Sequence, residues 1–207
     1  MKLKPFFILL IFAGFGAAPA KAQVQDRLLP HFGFMWEFVQ QISNQGTVGE
    51  SRELFANYYN FAIGTYYVIG HRNDVMSYGV DGTAQFGFNF VGGQFNYVAQ
   101  IPVYLMGRIG ANSTPYNMQK FGLSAGFGFH YTYFTQVTGS NIRQKAHIFN
   151  PSIVFEATLN SSGNPLTGRV HFTPFFSDTK VTQETPVTTL ERQVPMGGFG
   201  LGLIYGF

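Results

Sequence analysis

Few residues in this chain stand in patterns that could do covalent chemistry. Ser124 lies in Gly122-Leu123-Ser124-Ala125-Gly126, which has the G-x-S-x-G spacing of a nucleophile elbow. Such an elbow needs a strand, a sharp turn and then a helix to expose the hydroxyl. The pentapeptide sits instead inside a run in which large apolar residues alternate with small ones, so that context is missing. Gly198-Phe199-Gly200-Leu201-Gly202 has spacing suited to cradling phosphate, yet it opens no helix. His31, His71, His130, His147 and His171 show no i, i+4 pairing that would hold a metal. The chain has no cysteine, which excludes thiol catalysis, disulfides and a lipidated N-terminal cysteine. No catalytic residue, metal or cofactor is expected.

The ionisable residues are more informative. Glu37, Asp81, Arg108, Glu156 and Arg169 each fall in an alternating stretch, in phase with glycines, amides and hydroxyls. The opposite phase carries almost only aromatic and aliphatic residues. A basic side chain facing mid-membrane lipid costs about 2–4 kcal/mol and an acid somewhat less. These five therefore belong on an inner face, where Arg108 and Arg169 are expected to pair with some of Glu37, Asp81 and Glu156. His130 and His171 share that inner phase.

Eight strands are expected to position them, over residues 31–41, 58–70, 75–90, 95–109, 120–134, 146–160, 166–177 and 196–207. The fifth is the cleanest, with Phe121, Leu123, Ala125, Phe127, Phe129, Tyr131 and Tyr133 in one phase. Pro102 strains the fourth, because proline donates nothing to a ladder and favours edges or bulges. Residues 42–57, 135–145 and 178–195 read as loops, and 71–74, 111–119 and 161–165 as turns, with a hairpin at Gly92-Gly93. Each strand reaches the roughly 9–11 residues needed to cross a bilayer at a tilt.

Residues 1–22 have the form of a signal peptide: Lys2 and Lys4, an apolar run, then Ala20-Lys21-Ala22 before Gln23. Three of the 13 Lys and Arg lie in this leader and none of the 10 Asp and Glu, so residues 23–207 are formally neutral. That leaves no basic footprint for nucleic acid. Charged residues make up 11% against a usual 25% or so, while aromatics reach 17%, a poor coat for a water-soluble globule.

The last strand carries a further signal. Phe199, Leu201, Leu203, Tyr205 and Phe207 alternate with Gly200, Gly202, Ile204 and Gly206 up to the C-terminal residue. In this the chain resembles bacterial outer-membrane β-barrels of the small OmpA/OmpX type, whose closing strand ends in an aromatic residue read by the insertion machinery. The resemblance implies an all-β fold, a closed eight-stranded antiparallel up-and-down transmembrane β-barrel over residues 23–207, with Tyr205 and Phe207 as the insertion signal. It also implies periplasmic termini and a place in the bacterial outer membrane, with surrounding lipid and the insertion machinery as partners. Because the chain stops at Phe207, no cell-wall-binding domain is expected.

A barrel this narrow is filled by its own side chains. The expected function is non-enzymatic: a plugged barrel presenting outward loops for membrane integrity, adhesion or binding an extracellular ligand or protein. An outer-membrane lipid-modifying enzyme is the first alternative, lacking an assembled His-Ser-acid set. A soluble lipocalin-like carrier of an apolar ligand is the second. It requires the aromatic phase inside, and Gly33-Phe34-Met35-Trp36 lacks that family's G-x-W spacing.

Overall fold

The computed structural model describes residues 27–44, 50–91, 94–138, 142–161, 163–174 and 178–206. The expected leader, residues 1–22, and Phe207 lie outside them. The described residues form nine antiparallel strands: β1 Leu28–Asn44, β2 Glu50–Arg72, β3 Met76–Val91, β4 Gln94–Gly110, β5 Phe121–Thr138, β6 Ile142–Ser161, β7 Asn164–Thr173, β8 Asp178–Glu184 and β9 Thr189–Gly206. Each strand from β1 to β6 pairs with the next, and β9 pairs with β7 and β8 as well as with β1. The β1–β9 register runs from His31↔Gly206 to Gln41↔Met196, so β1 has a partner on both sides.

Two strands share the space between β6 and β9. β7 pairs with residues 153–161 of β6 and 198–205 of β9, and β8 pairs with residues 143–146 and 189–195. The segment expected as a loop, 178–195, is therefore mostly a hairpin, and the last strand begins at Thr189 rather than near Met196. Its sequence lacks an apolar phase because polar cross-strand pairs hold it. Lys180 meets Glu191 at 2.7 Å, and Lys145 of β6 meets Glu184 of β8 at 2.7 Å. Most of 42–57 and of 135–145, also expected as loops, likewise continues the ladders of β1 and β2, and of β5 and β6. Beyond an apolar band the outer face has no need of large hydrophobic residues, so the alternation stops before the hydrogen bonding does.

Pro102 leaves the interruption its chemistry requires. The β3–β4 ladder runs through Gly82↔Val103 and resumes at Gln85↔Gln100, omitting the two pairs that Pro102 and Ile101 would make. β4 keeps its direction because Pro102 still pairs with His130 on β5.

Side chains sort by phase as alternation dictates. Phe34, Phe61, Phe86, Phe127, Phe155 and Leu203 are among the exposed large residues of the outer face. The inner face holds an apolar cluster at each end. Val39, Tyr58, Val98, Phe134, Ile148, Val181 and Met196 pack together towards the β8–β9 hairpin. Tyr66, Val68, Tyr104, Met106 and Val154 pack towards the opposite end. There the 111–120 connection is tied to its neighbour: Ser113 Oγ and Asn117 Nδ2 both donate to the Asp74 carbonyl, at 3.0 and 2.5 Å.

Successive amides of an antiparallel strand point alternately at its two neighbours. Hydrogen exchange should therefore find every amide from Phe32 to Phe38 protected; a β1 left as a sheet edge would show every second one exchanging fast.

Candidate functional site

Between the two apolar clusters lies a set of buried ionic and polar side chains, and the register places most of it. One cross-strand row runs Arg108↔Ser124↔Glu156↔Arg169↔Gly202, so two arginines and a glutamate fall on one line through β4, β5, β6 and β7. Asp81, on β3, reaches them across the interior. Arg169 Nη2 lies 2.9 Å from Asp81 Oδ1 and 2.6 Å from Glu156 Oε1. Arg108 Nη2 lies 3.2 Å from Asp81 Oδ2 and 3.3 Å from Glu156 Oε2. Each acid thus bridges both arginines, and all four residues are at most 5% exposed. The square is formally neutral.

Neighbouring groups complete it. Arg169 Nε donates to Glu156 Oε1 at 2.7 Å, and its Nη1 donates to Thr83 Oγ1 at 3.2 Å. Thr83 in turn donates to Asp81 Oδ1 at 3.1 Å. The Arg108 guanidinium lies 3.9 Å from the centre of the Tyr66 ring, a cation–π contact that covers its face. His31 Nε2 sits 3.3 Å from Thr83 Oγ1 and 3.9 Å from Asp81 Oδ2. Further up, Asn60 donates to Gln100 at 2.5 Å and Gln100 to Thr132 at 3.2 Å, a short amide ladder between β2, β4 and β5.

Glu37 stands apart from the arginines. Its Oε2 lies 3.0 Å from His171 Nε2, and the ring centroids of His171 and His130 are 4.8 Å apart, edge to face. Glu37 and His171 are the cross-strand neighbours of Gly200 on either side. A β-carbon at Gly200 would lie 2.6 Å from both Glu37 carboxylate oxygens and against the His171 ring, so only glycine leaves room for the pair.

Of the residues expected inside, Asp81, Arg108, Glu156 and Arg169 are brought together, while Glu37 is diverted to a histidine. Thr83, Tyr66 and His31 complete the interior but escaped assignment from sequence, although all share the inner phase; His171 was expected inside, without Glu37 as its partner. Ser124 lies inside β5 with no helix after it, and its cross-strand partners are Arg108 and Glu156, both held in ion pairs. Among the described residues no group of three His, Asp or Glu side chains could hold a metal ion. Tyr205 packs against Phe32 with ring centroids 5.5 Å apart. Chemically the arrangement can neutralise and fill; both oxygens of Asp81 and of Glu156 are already engaged by cations.

No family model matches the chain, and no curated protein sequence matches it. Among solved structures it is similar to Ail, the attachment invasion locus protein of Yersinia pestis, at 12% identity and a TM-score of 0.51, covering 88% of this chain and 99% of that one. It is similar to the outer membrane protein AlkL, determined in lipid bilayers, at 16% identity and a TM-score of 0.51, covering 92% and 95%. OprG from Pseudomonas aeruginosa aligns at 12% identity and a TM-score of 0.50, covering 88% and 96%. At these identities the fold is what is shared: an all-β, antiparallel, membrane-protein type of architecture.

Breaking a buried ion pair strands its partner's charge, at a cost of about 3–5 kcal/mol. Arg169→Met should lose that much in urea unfolding from detergent, whereas Ser124→Ala should change stability by less than about 1 kcal/mol, since no hydrogen bond is removed. Gly200→Val should destabilise, because it displaces Glu37 and His171.

Proposed function

We propose that the chain is an exported, non-enzymatic protein of the bacterial outer membrane, a barrel plugged by its own side chains that presents its hairpin end to the outside. Residues 1–22 would serve as the leader. Residues 23–207 would form a closed cylinder of eight staves, with β7 and β8 as two lengths of one stave. The shared position of β7 and β8 between β6 and β9, and the β1–β9 ladder, support that reading.

One observation carries the proposal: a neutral square of two arginines and two acids, sealed inside, behind an outer face of exposed Phe, Leu and Ile. An apolar coat with ions within is the polarity that lipid requires and water penalises. With the centre filled by guanidinium groups and both ends by apolar clusters, the interior suits a scaffold better than a pore. What is left for recognition is the projecting end. The turn between β8 and β9, with Thr185 and Thr188 hydrogen-bonded to each other and Val187 and Leu190 exposed, is its most prominent feature among the described residues. Surrounding lipid, the insertion machinery acting on Tyr205 and Phe207, and an extracellular ligand or protein would be the partners.

The natural chain lacks cysteine, so single cysteines report location cleanly. Val187→Cys should react with a membrane-impermeant maleimide on intact cells, and Asp74→Cys only after the outer membrane is opened; the reverse pattern would overturn the orientation. In planar bilayers the purified protein should give no steady conductance, and large stable openings would contradict a plugged interior. Envelope lipids from a deletion strain should keep their acylation pattern by mass spectrometry; an altered pattern would favour a lipid-modifying enzyme.

A further inference from the structure

Above the Glu37–His171 pair the packing leaves a cavity of about 20 Å³, lined among others by Glu37, Val39, Gln100, His130, Thr132 and Thr173. Room for one water takes roughly 10–15 Å³ on this measure, so the space admits water and little else. Its walls are polar in an unusual way. Both ring nitrogens of His130, Nδ1 of His171 and Oε1 of Glu37 are buried without a hydrogen-bond partner among the described residues. These residues are 2%, 1% and 3% exposed. Leaving a buried polar group unsatisfied costs about 1–3 kcal/mol. Three of these atoms belong to residues that line the space, His130 and Glu37, and they make a strong demand for an occupant that both donates and accepts.

We propose that His130 and Glu37 form a buried water-binding site, in which water supplies the partners their atoms lack and joins the Glu37–His171 pair to the Gln100–Thr132 ladder. The chemistry selects water over the alternatives. A neutral imidazole presents one donor and one acceptor, and a water can accept from the one or donate to the other. A metal ion has no set of three ligands among the described residues, and an apolar guest would leave all three atoms unpaired. Val39 and Ile148 of the apolar cluster line the space on the hairpin side.

Water-edited solid-state NMR on the full-length protein in lipid tests this. Polarisation starting on water should reach the His130 ring nitrogens early, while the Val98 and Phe134 side chains of the adjoining cluster stay dark over the same mixing time. His130→Gln should keep the water contact at the Glu37 carboxyl group, and His130→Phe should abolish it. Ring nitrogens as slow as Val98 in the unaltered protein would overturn the site. So would an undiminished contact at Glu37 in His130→Phe. Should that variant not fold, the unaltered protein alone decides.

Discussion

The constraint on which the rest depends is that opposite faces of one thin sheet must satisfy opposite solvents. Outward residues such as Phe34, Phe86, Phe127 and Leu203 are exposed and apolar, while inward ones, one residue along the same strands, include Asp81, Arg108, Glu156 and Arg169. A slip of one residue in any strand would exchange the two sets. Register therefore follows as much from the cost of a misplaced charge as from the gain of correctly placed rings. The ion-pair square is the consequence: once water is absent, each buried charge must find a counter-charge, and β3, β4, β6 and β7 deliver them to one point.

Space governs the remainder. A narrow interior cannot hold large side chains at every inward position, so glycine stands wherever a long neighbour must cross. Gly200 admits the Glu37–His171 pair, and Gly64 lies against His31, whose Nε2 would sit 2.7 Å from any β-carbon placed there. Glycine at these two positions thus leaves room for the Glu37–His171 pair and for His31. The same economy of room explains why Arg108 lies flat on Tyr66, and why Tyr104 turns its hydroxyl to Ser152 at 3.2 Å.

Much of this was legible in the sequence, and the failures have physical causes. Alternation located the seven strands from β1 to β7, because each carries a band of large outward residues. The five charged residues that share one phase are all buried. β8 was missed because Lys180 and Glu184 pair through charge, leaving no apolar phase to detect. Strand ends were drawn short wherever hydrogen bonding outlasted the apolar band. The choice of partner for Glu37 was not legible either: it depends on Gly200 bringing β7 and β1 to either side of β9, a juxtaposition three strands wide that spacing along the chain does not reveal.

Trp36 allows the most direct check, because it is the sole tryptophan and stands on the outer face, stacked on Tyr59 with ring centroids 5.7 Å apart. Its fluorescence should be strongly quenched when the protein is reconstituted in lipids brominated along the acyl chain, and little affected by aqueous iodide. Quenching by iodide with no response to brominated chains would mean that the ring faces water or the interior, and the assignment of faces to solvents would fail.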